Sequence, residues 1–279
     1  MSFLSIHFPR WVWSEVCFRI FIFVIFLITE ELSPYHRVIQ PEEAWLYRFP
    51  NKVSIVPSQL LWLILVIATL TVIAVVFAYN NDLNLAICAI GVPTLALPLN
   101  GIITNIIKVT VGRPRPDYLE RCYGPEYLTI TEYTRPCIGA ATLVLDGRKS
   151  FPSGHSSMSF CGFGFLFLYI AAQLKTFSTG RGHTPSFILT LITLLAPTLV
   201  AISRFDDYHH HYQDIIVGSL LGFCVVYAIY RQYFPSLGDP TCDKPDVPFS
   251  GYEQGAGEAR LYGRRTLSSL ENPNCIKTV

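Results

Sequence analysis

Charge is what this sequence has least of. Only 15% of its 279 residues are Asp, Glu, Lys or Arg, against about a quarter in ordinary soluble domains, and the formal net charge is +1. A chain so nearly neutral casts no long-range field toward nucleic acid, and no Gly-rich nucleotide fingerprint follows a strand, so no nucleic-acid partner is expected. The eight cysteines include no CxxC pair, which argues against a metal ribbon. Asn-x-Ser/Thr glycosylation acceptors and internal repeats are also missing.

What fills the space is hydrocarbon. Hydrophobic residues make up 51% of the chain, and six apolar runs, near 11–30, 58–79, 84–107, 157–174, 186–203 and 214–234, approach the roughly 20 residues needed to cross a bilayer core. The expected fold is all-α, a polytopic membrane protein with six transmembrane helices. The first run holds Glu15 and Arg19, yet Arg19 can snorkel and Trp11 and Trp13 suit an interface. It lacks a basic start followed by a small-residue cleavage site, so a retained span is expected rather than a signal peptide. Pro93, Pro98 and Gly101 predict a third span that kinks unless neighbours repair its backbone bonds.

The connections differ in character. Residues 40–48 carry Trp45 and Tyr47, placed at the headgroup level. Beyond Phe234 the composition turns to Pro, Gly, Ser and mixed charge, which predicts a mobile tail over 235–279, its Arg264-Arg265 read as a solvated basic patch in preference to a kinase site. Cys17, Cys88, Cys161 and Cys224 sit in apolar runs as small hydrophobes. Cys122 and Cys137 share the long polar loop 108–156, where a disulfide and two free thiols stay open alternatives. Positive charges divide almost evenly between the two sides, so charge counting does not orient the chain.

Parity organises the polar residues. Six spans alternate direction, so the end of span three, the start of span four, the end of span five and the start of span six emerge on one face. Each carries an unusual cluster: Lys108 through Arg115-Pro116, then Pro152-Ser153-Gly154-His155, then Ser203-Arg204 and His209-His210-His211 through Asp214. Lys108, Arg115 and Arg204 supply cations, and Ser153 with the Gly154 amide sits at an expected helix start, a combination suited to phosphate. His210 and Asp214, four apart, are expected to share a helix face, so that the carboxylate bonds one ring nitrogen and frees the other as nucleophile. His155 opposite would supply the proton for the leaving oxygen. A divalent-metal site on the three histidines with Asp206 and Asp207 is disfavoured, since adjacent residues point apart. Ser153 lies outside a G-x-S-x-G elbow, so it reads as a hydroxyl donor.

These segments resemble the KxxxxxxRP, PSGH and SRxxxxxHxxxD signature of the type 2 phosphatidic acid phosphatase (lipid phosphate phosphatase) superfamily, matched in residue type, order and spacing. The segments 40–48, 112–117 and 231–233 are similar to the phospholipid phosphatase 4/5, or diacylglycerol pyrophosphate phosphatase-like, subgroup. The resemblance implies a helical-bundle catalytic core of the acid phosphatase/vanadium haloperoxidase type over 37–234, preceded by an N-terminus and first helix over 1–36. It implies phosphate binding by Lys108, Arg115, Ser153, Gly154 and Arg204, with His155 as general acid and His210 as nucleophile oriented by Asp214. No metal and no cofactor are implied, and both termini, with the 235–279 tail, are implied to be cytosolic. The partner is a lipid phosphate within the bilayer (phosphatidate, lysophosphatidate or diacylglycerol pyrophosphate), met on the luminal or extracellular face of an endomembrane or the plasma membrane. That placement favours a Cys122–Cys137 disulfide. The rival readings are another phosphorylated substrate, such as glucose 6-phosphate, sphingosine 1-phosphate or an isoprenoid diphosphate, and a non-catalytic lipid-phosphate scaffold.

Overall fold

Hydrocarbon offers a backbone no partner but itself, so apolar runs of this length close their hydrogen bonds within helices. The computed structural model describes residues 10–130, 135–178 and 183–246. The long helices are α1 (Arg10–Glu30), α2 (Ser58–Asn80), α3 (Leu83–Val111), α6 (Gly154–Gln173), the pair α7 (Thr184–Ile192) and α8 (Leu195–Asp206), and α9 (Tyr212–Tyr233). They give six segments long and apolar enough to cross a membrane, and no strand is found among the described residues. Apolar side chains such as Phe21, Leu63, Leu70 and Phe187 face outward, as a hydrocarbon solvent allows.

The expected fifth span is broken. Pro197 has no N–H to give the Thr193 carbonyl, and α7 ends at Ile192 before α8 restarts at Leu195. The third span, by contrast, stays helical through Pro93 and Pro98. Arg19 of α1 reaches the same stretch: its guanidinium donates to the Gly91 carbonyl at 2.6 Å, to Thr94 Oγ1 at 2.8 Å and to the Tyr233 hydroxyl, and pairs with Glu15 at 3.5 Å. A cation inside the span is thereby satisfied by three helices.

Helix α6 is the spine, with Cys161, Phe165, Leu168, Tyr169 and Ala172 almost wholly enclosed. Its main neighbour is α9, where Gly218 and Gly222 form a small-xxx-small seam. A Cβ on Gly222 would lie 2.0 Å from the Ser157 carbonyl oxygen, and one on Gly218 2.6 Å from that of Ser153. Backbone therefore meets backbone directly beside the start of α6.

Over one end of the bundle, residues 31–57 and the loop after α3 form a cap with α4 (Tyr118–Tyr123) and α5 (Ala141–Asp146). It has its own apolar cluster, including Ile39, Ala44, Tyr47, Tyr118 and Leu119, and Cys122 and Cys137 are disulfide-bonded within it. At the opposite end, residues 235–246 do not depart as the expected tail. Cys242 is buried, Gln173 donates to the Asp243 carbonyl at 2.9 Å, and Lys175 pairs with Asp243 at 3.1 Å. The remainder of that segment, with Arg264-Arg265, lies outside the described residues.

Replacing Gly222 by Val drives a side chain into a backbone carbonyl. It is expected to cost at least the ~1–3 kcal/mol of ordinary overpacking, read as a lowered thermal midpoint in detergent. Gly238→Ala, where a new Cβ meets nothing within 4 Å, serves as the neutral control; equal midpoints for the two variants would contradict this packing.

Candidate active site

Three helix ends and two loops converge beneath the cap. Helix α3 stops at Gly112, whose φ of 58° and amide bond to the Lys108 carbonyl close the last turn. A side chain there would strike the Tyr35 carbonyl oxygen, at 1.9 Å from a Cβ. This stop leaves Lys108 in the final turn and sends the chain through Arg113 and Arg115. Helix α8 ends differently, with Tyr208 at φ 58° reversing the chain so that the amides of His209 and His210 both donate to the Arg204 carbonyl, at 3.2 and 3.3 Å. The six-residue interval from Arg204 to His210 thus folds back on itself.

A cavity of about 410 Å³ opens between these ends. Of the expected site residues it brings together Lys108, Arg115, Gly154, His155, Arg204 and His210. Ser153 and Asp214 do not line it. Ser153 is the N-cap of α6, its Oγ accepting from the Ser156 amide at 3.4 Å, and its own amide donates to the Asp214 carbonyl at 2.9 Å. Gly154 touches the centre because it lacks a side chain: a Cβ would sit 2.8 Å from Lys108 Nζ.

The two histidines hold defined tautomers. His210 Nδ1 faces the Ser150 carbonyl at 2.7 Å, and an acceptor there requires the proton on Nδ1, which leaves Nε2 with its lone pair. His155 is the mirror case, its Nε2 donating to the Val56 carbonyl at 3.1 Å and leaving Nδ1 for exchange. Burial pushes the His210 imidazole down to about 3; Asp214 alone would raise it, while Arg115 and Lys108 add to the lowering.

The expected pairing of His210 with Asp214 takes another form. His210 precedes α9 rather than riding on it, and its Nδ1 stands 3.9 Å from Asp214 Oδ2, beyond a hydrogen bond. Asp214 is fully enclosed and already engaged: by Arg113 at 2.6 Å, by Ser150 Oγ at 2.6 Å, and by the amide and Nδ1 of His211 at 3.0 and 3.2 Å. Ser150 therefore touches both partners, the carboxylate through its hydroxyl and the imidazole through its carbonyl. The three consecutive histidines face different groups, His209 the Asp207 carbonyl, His210 that of Ser150 and His211 the Asp214 carboxylate. Among the described residues no three His, Cys, Asp or Glu side chains gather in metal-binding fashion.

Sequence spacing does not reveal the remaining partners. Arg204 is buried against Asp207 and donates to Ser54 at 3.1 Å. Arg115 pairs with Asp146 at 2.7 Å, and Asp146 also takes Arg121 at 2.9 Å. Lys108 Nζ has no hydrogen-bond partner among the described residues, and Arg115 Nε is buried without one. The cavity is also lined by Phe26, Leu61, Trp62 and Met158, from α1, α2 and α6. One chamber thus brings cations and apolar side chains of the spans together.

The chain is similar to known proteins. A family model described as the PAP2 superfamily matches residues 89–237. Lipid phosphate phosphatase 2 of Arabidopsis thaliana is 36% identical over 219 residues, covering 78% of this chain and 75% of that protein. Diacylglycerol pyrophosphate phosphatase 1 of Saccharomyces cerevisiae is 40% identical over 146 residues, 51% of this chain and 50% of that protein. Probable diacylglycerol pyrophosphate phosphatase 1 of Schizosaccharomyces pombe is 40% identical over 149 residues, 51% of this chain and 52% of that protein. No solved structure matches the chain. With its six apolar spans and its clustered Lys108, His155, Arg204 and His210, this integral, multi-pass membrane chain belongs to the PAP2 superfamily.

Proposed function

We propose that the protein hydrolyses lipid phosphates at the membrane surface, phosphatidate, lysophosphatidate and diacylglycerol pyrophosphate among them. The observation that carries this reading is the composite cavity, in which cations and two histidines share a chamber with Phe26, Leu61, Trp62 and Met158. Such a chamber suits a ligand with a phosphorylated head and acyl chains, which stay in the bilayer while the head enters. The relatives' names, lipid phosphate phosphatase and diacylglycerol pyrophosphate phosphatase, point the same way.

In the proposed reaction the terminal phosphate rests against Lys108, Arg115, Arg204 and the Gly154 amide at the start of α6, with Ser153 holding that helix start in place. The lone pair of His210 Nε2 attacks phosphorus and the bond from phosphorus to the leaving oxygen breaks, while His155, carrying for this step a second proton taken up at Nδ1 from the phosphate monoanion, passes that proton to the leaving oxygen. Water then attacks the phosphohistidine, yielding its proton to His155 as the phosphorus–nitrogen bond breaks and inorganic phosphate departs. Asp214 contributes through space and through Ser150, stabilising charge on His210 while the Ser150 carbonyl fixes its tautomer. The protein's own cations neutralise the equatorial oxygens, so neither a metal nor a cofactor is invoked.

We place the lipid phosphatase core over 37–234, and the site on the luminal or extracellular side of an endomembrane or the plasma membrane. The Cys122–Cys137 disulfide in the cap over the cavity supports that side, since disulfides persist where the medium is oxidising.

His210→Ala is expected to cut phosphate release from phosphatidate micelles by ~10³-fold or more and to abolish trapping of a phosphoenzyme, and His155→Ala to slow release by ~10²–10⁴-fold. Full activity in His210→Ala would remove the nucleophile assignment. Wild-type turnover should be unchanged by EDTA; a loss restored by Mg²⁺ would replace the mechanism with a metal-assisted one.

The depressed His210 value gives a pH test. A free imidazole gains its proton as pH falls through about 6.5, whereas His210, held near 3, stays neutral across that interval. In histidine-labelled protein the His210 nitrogen signals should keep the Nδ1–H pattern from pH 7.5 to 5. Titration near 6.5 would show that the ring is not held as described.

A further inference from the structure

We propose that Arg115 and Arg121 form a second anion subsite beside the His210 centre, occupied in the free protein by the Asp146 carboxylate and taken by the inner phosphate of a lipid diphosphate. The inference rests on the phosphatase reading above and concerns which headgroups the same chamber prefers.

Asp146 spans two guanidiniums, one oxygen on Arg115 at 2.7 Å and the other on Arg121 at 2.9 Å. Two oxygens on two forks is the geometry of phosphate recognition. The three members are unequally anchored. The side chains of Arg115 and Arg121 are 11% and 4% exposed, whereas that of Asp146 is 48% exposed at the end of the short helix α5. The anion is thus the exchangeable partner and the cations are the fixture.

Arg121 does not depend on Asp146 for its orientation. Asp117, wholly enclosed, takes its Nε and its second terminal nitrogen, both at 2.8 Å, leaving the remaining nitrogen for the cavity. Arg115 brings a buried Nε without a partner. Both arginines line the chamber with His210 and Lys108, so an anion between them adjoins one held at the nucleophile. Burial opposes the charge on Asp146, but Arg115 and Arg121 outweigh it, with Lys108 adding to the same field, and the carboxylate stays ionised. An incoming dianion meets this carboxylate as a competitor and displaces it toward solvent.

A monophosphate needs the terminal position alone; a diphosphate presents a second charged group one oxygen away. Arg121 then separates the two substrate classes, while Asp146 sets the concentration at which the diphosphate binds.

The test compares diacylglycerol pyrophosphate with phosphatidate of matched acyl chains, in mixed micelles, on wild type, Arg121→Gln and Asp146→Asn. Arg121→Gln should lower kcat/KM for the diphosphate about tenfold or more beyond any loss on the monophosphate, the scale of a lost charge-assisted hydrogen bond. Asp146→Asn, at a half-exposed side chain, should lower KM for the diphosphate about threefold or more by removing the competing charge. Equal losses on both lipids in Arg121→Gln, or an unchanged or raised KM in Asp146→Asn, would overturn the subsite. A wild type that releases phosphate from neither lipid would instead overturn the phosphatase reading on which the subsite stands.

Discussion

A carboxylate with no exposure to solvent must have its lone pairs filled by the protein, and Asp214 sets that condition for the whole site. Its partners come from three stretches: Arg113 after α3, Ser150 before α6, and His211 at the head of α9. Losing one member of a buried charge pair typically costs about 3–5 kcal/mol, so these stretches are bound to one register. His210, one residue before the α9 cap, takes its place from that register through the Ser150 carbonyl. The same knot fixes the start of α6, because the Ser153 amide donates to the Asp214 carbonyl. Helix start, His210 ring and cap loop are consequences of one satisfied anion.

Electrostatic balance explains how so many cations coexist in one chamber. Arg204 is offset by Asp207, Arg121 by Asp117, and Arg115 by Asp146, while Arg113 serves Asp214. Lys108 stands apart, with no hydrogen-bond partner among the described residues, beside the side-chain-free Gly154. The free protein is thus near neutrality in the pocket and still has a donor in reserve. Preorganised charge of this sort requires little rearrangement when a phosphate arrives.

Much of this was legible in the sequence, for identifiable reasons. Hydropathy sets the spans because a bilayer filters by length and polarity, and parity gathers the polar clusters on one face. The spacing from Arg204 and back from Asp214 picks His210 from among three adjacent histidines, and the cavity is lined by both His209 and His210. Hydropathy is blind to local geometry, however, so the break before Pro197 lies hidden in an apolar run. It is equally blind to long-range partners. Ser150, Arg121 and Asp146 come together through loop folding, and no period or spacing announces them. Asp214 was expected to bond His210 directly, an inference that assumed a helix running through both; the chain turns at Tyr208 and the helix begins only at Tyr212. Residues 235–246 read as tail by composition, yet buried Cys242 and the Gln173 and Lys175 contacts hold them to the bundle.

The chamber's two unlike linings carry a last consequence. In the proposed reaction the products partition between phases: the dephosphorylated lipid drains sideways past Phe26 and Trp62 into the membrane plane, and phosphate diffuses into water. Re-esterification would need both to return at once from separate reservoirs. Hydrolysis in water is already downhill; what two separate exits add is that neither product has to wait for the other to leave.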